Sequence, residues 1–235
     1  MTARPCWMIR PEGLVPYDLA NAEMHALAER RLAGEIPDSL TLLEHPPVFT
    51  GGRRAKTEDL LWEVPNVEAR GGLVRWIDRG GAFTFHGPGQ LVGYPVLGLG
   101  AAPDAAGYLR RLEEAVILAC ADLGVAAGSR EDVQTGVWVG DAKICAIGVR
   151  LMRTRVTLHG FALNCDTDLS WFDGIVACGL PEHGATSLSA TLGRDVSVAE
   201  VRPLVERRLA EVFGFVYESA PSEVAKAFAA RADVA

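Results

Sequence analysis

The chain has 235 residues, of which 49% are hydrophobic and 23% are charged. This balance is typical of globular proteins and excludes a disordered tail, a collagen-like repeat and a disulfide mini-protein. The formal net charge of −7 at pH 7 disfavours non-specific binding to polyanions, so we expect no nucleic-acid partner.

The sequence gives no sign of a membrane or targeting segment. The longest apolar run, residues 115–121, is far shorter than the roughly 20 residues that span a bilayer, and residues 1–10 lack the apolar region of a signal peptide. The five cysteines form no CxxC pair and are odd in number, which favours free thiols in a reducing compartment. We therefore expect a cytoplasmic protein with no membrane partner.

Hydrophobic patterns predict a mixture of helices and strands. In chain order, the predicted elements are a helix over residues 17–33, a strand over 40–43, a long loop over 48–69, strands over 73–77, 82–85 and 91–97, a helix over 104–123, strands over 137–139, 142–149 and 155–165, a helix that begins after Ser197, and a short helix over 221–230. The loop assignment rests on two glycines, several charges and Pro65. Ser197 and Glu200 have the spacing of a capping box.

These elements alternate without regular βαβ units. We therefore expect an α+β fold with a mixed, mostly antiparallel sheet and helices on one face. No linker-like segment divides the chain, so we expect a single domain over residues 1–235 that includes the C-terminal helices within residues 197–235.

Residues 79–90, with the sequence RGGAFTFHGPGQ, form the most unusual stretch. Glycines let a backbone approach a ligand closely and present its N–H groups, and Arg79 is suited to bind a carboxylate or a phosphate. A tight hairpin with a glycine-rich exit would explain the same composition. The stretch matches neither of the common glycine-rich nucleotide-binding motifs.

Lys143 directly follows a predicted turn and has apolar neighbours in the segment DAKICAIG. One interpretation is a solvated turn lysine. The other is a lysine held in a partly dry site, where it can take part in proton transfer.

Cys178 is followed by Gly179 and Pro181, which favours a loop. A loop cysteine in a reducing compartment is a candidate nucleophile. The alternative is a buried small apolar residue, an interpretation that fits Cys120 in a predicted helix and Cys145 in a predicted strand.

No metal site is expected. His159, Cys165, Cys178 and His183 fall within 25 positions, but no pair of them has the short spacing of a structural zinc site. His45 and the histidine within the glycine-rich stretch are interpreted as structural or substrate-facing.

Several segments, in family order over residues 40–192, resemble the octanoyltransferases of lipoate biosynthesis, which transfer octanoyl groups from acyl carrier protein to proteins. The matching segments are LLEHPPVFT at 42–50, RGGAFTFHGPGQ at 79–90, GVWVGDAKICAIG at 136–148, HGFALN at 159–164 with Asp168-Leu169, Cys178-Gly179, and ATSL at 185–188. The chain departs from the family pattern at Phe85, where tyrosine is usual, and at Ala177, where proline often precedes the cysteine.

The resemblance implies the fold of the biotin and lipoate protein ligase catalytic domains. It implies transfer of octanoyl, or lipoyl, from the phosphopantetheine thioester of acyl carrier protein to a lysine of a lipoyl domain, the first step of endogenous protein lipoylation. Such domains belong to 2-oxoacid dehydrogenase complexes and the glycine-cleavage H protein. No cofactor is implied, because conversion of a thioester into an amide is downhill and needs no ATP.

The resemblance also assigns roles to particular residues. Cys178 would carry the acyl group as a thioester, and Lys143 would be its partner, acting either as a cation or as a neutral base. The residues implied to line the acyl site are Arg79, Gly80, Gly81, Ala82, Phe83, Thr84, Phe85, His86, Ala146, Ile147, Gly148, Gly160, Phe161 and Ala162.

Three other functions are compatible with the sequence. An ATP-dependent lipoate or biotin protein ligase of the same fold would need to form an adenylate and would not need Cys178. A non-catalytic module would hold acylated carrier proteins without becoming acylated. A cysteine hydrolase would pair Cys178 with His159 or His183 and release free octanoate.

Overall fold

The computed structural model describes residues 4–130, 135–153, 155–176 and 184–229. The strands are β1 (Arg4–Ile9), β2 (Asp38–Leu43), β3 (Val48–Gly51), β4 (Leu73–Trp76), β5 (Phe83–His86), β6 (Gln90–Val96), β7 (Gly136–Val139), β8 (Ala142–Met152), β9 (Val156–Asn164) and β10 (Phe215–Ser219). The helices are α1 (Tyr17–Ala33), α2 (Val64–Ala69), α3 (Ala105–Asp122), α4 (Leu188–Leu192), α5 (Val198–Phe213) and α6 (Ser222–Ala227), with 3-10 helices at Thr57–Asp59 and Leu169–Gly174.

The described strands form two sheets. The larger has the order β10-β1-β2-β6-β9-β8-β7, and the smaller has the order β4-β3-β5. In the larger sheet β1 runs parallel to both β2 and β10, while every other neighbouring pair is antiparallel. The predicted α+β fold with a mixed, mostly antiparallel sheet is confirmed.

Helices cover both faces of the larger sheet, so the prediction that they lie on one face is wrong. Leu91 and Val92 are successive residues of β6 and are both fully buried, although successive side chains of a strand point to opposite faces. Leu91 packs in a core formed with α3 and α5, whereas Val92 packs in a second core formed with α1. A strand that is buried on both faces must have other elements packed on both. Its sequence is then a continuous apolar run and does not alternate between apolar and polar residues.

Strand β3 of the smaller sheet and helix α2 lie within residues 48–69, so the prediction of a long loop there is wrong. The strand β3 is buried along its whole length and lies between β4 and β5, which therefore do not pair with each other. Phe49 at its centre makes edge contacts with the rings of Trp62 and Trp171. Pro65 lies in the first turn of α2, where proline is favourable rather than disruptive.

The longest described strands bring the predicted site together. In the antiparallel pair β8 and β9, Ala146, Ile147 and Gly148 face Ala162, Phe161 and Gly160 in register. The turn between β4 and β5 reaches the same strands, since Gly80 N–H donates to Val149 O. None of the described helices has both the length and the apolar character that a membrane crossing requires.

Candidate functional site

A pocket opens between the glycine-rich turn, helix α1 and strands β6, β8 and β9. Its cavity volume is about 40 Å³, smaller than the roughly 300–1,000 Å³ of most small-molecule sites. All the residues predicted to line the acyl site do line this pocket, with the exception of Phe85. Sequence reasoning missed five further lining residues, which are Tyr17, Val92, Tyr94, Thr135 and His159.

The Phe85 side chain packs behind the pocket wall and does not line the pocket, and the acyl-site role implied for it stays a prediction. Its ring stacks on Trp171 with centroids 5.1 Å apart and meets the ring of Phe49 edge-on at 5.7 Å. Its strand neighbours Thr84 and His86 both line the pocket.

Arg79 holds the glycine-rich turn against strand β3. Its Nη2 donates to the Thr50 carbonyl at 2.6 Å, and its Nη1 donates to the Gly80 carbonyl at 2.8 Å. The turn packs so closely on Gly52 that a Cβ there would lie 2.5 Å from the Gly81 carbonyl oxygen. The buried guanidinium therefore binds the protein's own backbone and shapes the pocket wall.

Asp78, directly before Arg79, anchors this turn to three other elements. Its carboxylate accepts a hydrogen bond from His159 Nε2 at 2.8 Å, forms an ion pair with Arg150, and lies 3.6 Å from His25 Nε2. His159 has a φ of +59° within β9, a conformation that costs a non-glycine residue about 1–3 kcal/mol and is concentrated at functional sites. Burial, together with the nearby positive groups, lowers the pKa of His159.

Lys143 is buried rather than solvated. Its backbone is hydrogen-bonded to residues 184–186, which directly follow residues 177–183, here called the Cys178 segment. Its Nζ lies 4.6 Å from the centroid of the Trp138 ring, a favourable cation–π distance. Lys143 N–H donates to Gly184 O at 2.9 Å, and Thr186 N–H donates to Lys143 O at 3.0 Å. Cys178 itself lies outside the described residues, as does His183.

The other four cysteines are all buried. Burial raises the pKa of the Cys120 thiol to about 12 and raises the pKa of Cys6, Cys145 and Cys165 as well. The prediction that Cys120 and Cys145 are buried small residues is confirmed. Within the described ranges, no group of three or more His, Cys, Asp or Glu side chains is arranged to hold a metal ion.

His45 lies fully buried beside the pocket in a defined neutral form. Its Nδ1 donates to Val15 O at 2.7 Å, and Tyr94 OH donates to its Nε2 at 2.8 Å. Burial lowers the pKa of His45 to about 4. Its ring also contacts those of Tyr17 and His86, so it supports the pocket floor, which agrees with the structural role predicted for it.

The free energy of unfolding is expected to decrease as the pH falls from about 6.5 to about 4, with His45 as a contributor. In the unfolded chain a histidine is protonated below about pH 6.5, whereas folded His45 stays neutral down to about pH 4. The unfolded state therefore binds more protons in this window, and the group contributes up to about 1.4 kcal/mol per pH unit.

Urea unfolding at several pH values between 4 and 7 measures this contribution. His45→Gln should give a shallower pH dependence than the parent protein, whatever its absolute stability. Thr157→Val, at a buried residue with no titratable group, is the matched control and should keep the pH dependence of the parent. Equal slopes for His45→Gln and the parent protein would show that His45 does not contribute.

Comparison with known proteins places this chain in a family. Residues 16–210 match the family model of the lipoyl protein ligase A/B catalytic domain. The chain is 55% identical over 204 residues to an octanoyltransferase of Acidothermus cellulolyticus, which covers 85% of this chain and 88% of that protein. It is 49% identical over 206 residues to an octanoyltransferase of Rubrobacter xylanophilus, with coverages of 87% and 92%.

Solved structures with lower identity share the fold. A lipoate-protein ligase A bound with ATP has a TM-score of 0.73 at 19% identity, covering 96% of this chain and 93% of that chain. Biotin protein ligase of Aquifex aeolicus has a TM-score of 0.52 at 12% identity, covering 88% and 68%. The sequence identities and the family model together show that the chain belongs to the octanoyltransferases of the lipoyl protein ligase A/B catalytic domain family.

Proposed function

We propose that the chain transfers an octanoyl group from the phosphopantetheine thioester of acyl carrier protein to a lysine of a lipoyl domain, through a thioester on Cys178 and with Lys143 as its partner. The observation that carries this proposal is the buried position of Lys143, whose backbone bonds residues 184–186 directly after the Cys178 segment. Lipoyl domains of 2-oxoacid dehydrogenase complexes and the glycine-cleavage H protein are the proposed acceptors, and no cofactor takes part.

The reaction proceeds in two balanced steps. Cys178 gives up its proton, its thiolate attacks the thioester carbonyl carbon, and the bond from that carbon to the phosphopantetheine sulfur breaks as this sulfur receives the proton. The neutral amine of the acceptor lysine then attacks the acyl-enzyme, an amide bond forms, and the bond to Cys178 breaks as the amine passes a proton to the Cys178 sulfur. Splitting the transfer in this way means that the two protein partners need not bind together.

The pocket supports an acyl chain as the transferred group. Phe83, Ile147 and Phe161 supply apolar surface to its wall, which suits a hydrocarbon chain. Gly148 and Gly160 let neighbouring backbone pack closely at the pocket wall, since a Cβ on Gly160 would lie 2.2 Å from the Gly93 carbonyl oxygen. The Lys143 side chain runs beside Gly136, since its Cε would lie 3.2 Å from a Cβ added there, and Gly136 directly follows the lining residue Thr135.

The test of this proposal is the intact mass of the protein after mixing with octanoyl-acyl carrier protein. A single octanoyl adduct, lost again when a lipoyl domain is added, supports the two-step transfer. ATP–pyrophosphate exchange with octanoate would instead support a ligase. Release of free octanoate would support a hydrolase, and binding without any adduct would support a non-catalytic module.

Acyl carrier proteins are acidic as a family and this chain is acidic too, so docking is expected to need a local basic patch, supplied either by Arg53, Arg54 and Lys56 or by Arg150, Arg153 and Arg155. The structure favours Arg53 and Arg54, which lie at the pocket mouth. Both are exposed, and their backbone N–H groups donate to Arg79 O and Gly81 O of the glycine-rich turn. Arg54 also lines an opening next to the pocket. Attraction between exposed charges weakens with salt, because the Debye length falls from about 10 Å at 0.1 M to about 3 Å at 1 M.

Carrier-protein affinity at several salt concentrations measures this effect. Arg53→Glu and Arg54→Glu should each weaken binding at low salt and flatten its salt dependence. Arg194→Glu changes the net charge equally at an exposed site that pairs with Glu200, and should leave the affinity close to that of the parent. An affinity that responds neither to salt nor to reversal at the mouth would contradict electrostatic docking.

A further inference from the structure

A continuous line of hydrogen-bonded side chains begins at the pocket wall. Arg79 Nη2 donates to Thr50 Oγ1 at 3.0 Å, and Thr50 Oγ1 lies 3.3 Å from His86 Nε2. His86 Nδ1 lies 2.8 Å from Gln90 Oε1. Thr50, His86 and Gln90 are each at most 7% exposed, so the line runs through the protein interior.

The same line ends at the backbone beside Lys143. Gln90 Nε2 donates to Asn164 Oδ1 at 2.9 Å, and Asn164 Nδ2 donates to the carbonyl oxygen of Thr186 at 2.9 Å. Thr186 N–H in turn donates to Lys143 O at 3.0 Å. Asn164 therefore bonds the chain segment that bridges to Lys143.

The carbonyl end of the line fixes the direction of the bonds within it. The Thr186 carbonyl can only accept, so Asn164 Nδ2 donates to it, Gln90 Nε2 donates to Asn164 Oδ1, and His86 Nδ1–H donates to Gln90 Oε1. In neutral His86 the other ring nitrogen, Nε2, then accepts from the Thr50 hydroxyl. This direction needs a neutral His86, and burial lowers the pKa of His86 well below its ordinary value. Bonds that all run one way polarise and strengthen one another.

Stability alone does not require such a line. Replacing both partners of a buried hydrogen bond with apolar groups of similar shape can be neutral or stabilising. These buried side chains are all hydrogen-bonded, and together they connect the pocket wall to one backbone carbonyl. The line therefore fixes the position of that carbonyl. The carbonyl belongs to Thr186, in the short segment that directly follows the Cys178 segment.

We propose that Asn164 is a positioning residue for acyl transfer, because its amide holds residues 184–186 against Lys143. This inference rests on the proposed function, in which Lys143 and Cys178 act together. Gln90 orients the Asn164 amide, and the line through His86 couples this orientation to Arg79 in the pocket wall.

Asn164→Leu tests the proposal with little change in side-chain volume. The kcat for octanoyl transfer should fall about a hundredfold, as expected when reacting groups are misplaced by about 1 Å. The KM for octanoyl-acyl carrier protein should not change, because the pocket lining and its mouth are intact. Hydrogen exchange at the Lys143 and Thr186 amides should become faster, and this readout does not depend on activity.

Gln90→Leu provides a second variant in case Asn164→Leu does not fold. It leaves the Asn164 amide in place but removes the group that orients it, so kcat should fall by a smaller factor with KM unchanged. The double variant should be no slower than Asn164→Leu alone, since both changes act through one contact.

Thr157→Val is the matched control on the same strand. Thr157 is fully buried, and its hydroxyl donates to Pro95 O at 2.6 Å and accepts from Leu97 N–H at 2.8 Å. This variant should lose stability while keeping kcat and the exchange rates of the Lys143 and Thr186 amides.

The outcomes separate this inference from the proposed function. If the parent protein forms no octanoyl adduct, the proposed function fails, while hydrogen exchange still reports on the contact. If the parent protein is active but Asn164→Leu and Gln90→Leu lose only stability, as Thr157→Val does, the positioning role is overturned.

Discussion

Cys178→Ala is expected to abolish both formation of the octanoyl-enzyme and transfer to lipoyl domains, the largest effect expected from any single substitution. Alanine has no atom that can hold the acyl group as a thioester, so the first step cannot occur. The measurements are the intact mass after mixing with octanoyl-acyl carrier protein and the rate of lipoyl-domain octanoylation.

Cys120→Ala and Cys145→Ala are the matched controls. Both thiols are buried in the core between the sheet and helices α3 and α5, and burial raises the pKa of both, so neither forms a thiolate readily. Each variant should lose some stability and retain the octanoyl adduct. An adduct on Cys178→Ala, or its loss in either control, would assign the nucleophile to another residue.

The first helix shows what local signals are able to predict. Pro16 before the helix and Gly34 after it gave bounds that agree with α1, and Gly34 adopts the left-handed conformation of a C-terminal cap. The N-cap at Ser197 is also confirmed, because its side chain accepts a hydrogen bond from Glu200 N–H. These features depend on residues close together in the chain, which is why the sequence alone reveals them.

Strand β3 shows why other elements were missed. Its partners, β4 and β5, lie about 25 to 38 positions further along the chain, so nothing in its own sequence marks it as central. Gly51 looked like a loop residue, yet a Cβ there would lie 3.0 Å from the Phe83 ring. The glycine allows close packing within a sheet instead of ending a strand.

Only part of the pocket lining can be predicted from the sequence, for a related reason. The glycine-rich turn and the facing segments of β8 and β9 were found through motifs that resemble a known family. Tyr17 reaches the pocket from α1, and His159 lies in β9 where the backbone is left-handed; no local pattern in the sequence indicates either position in the pocket. One sequence feature does single out Tyr17: it lies on the apolar face of a predicted helix and also carries a hydroxyl.

Lys143→Ala is expected to move the pH profile of Cys178 alkylation upward by about one unit or more and to reduce transfer further than alkylation. A cation near a thiol favours the thiolate, and one pH unit corresponds to about 1.4 kcal/mol. Lys143 is buried, with 8% of its surface exposed, so solvent screens its charge less than that of a surface lysine. Iodoacetamide labelling against pH measures the shift, and the other cysteines contribute little background because they are buried.

Lys143→Arg separates the charge of the lysine from its ability to transfer a proton. Arginine keeps the charge and should preserve part of the alkylation profile, but it does not give up its proton and should restore little transfer if the lysine returns a proton to the departing thiol. Lys226→Ala, at an exposed lysine of α6, is the control and should change neither measurement. An unchanged alkylation midpoint in Lys143→Ala would show that the lysine is not coupled to Cys178. Recovery of transfer in Lys143→Arg would show that the positive charge alone is sufficient, because guanidinium and ammonium share the charge and differ in their capacity to act as an acid or a base.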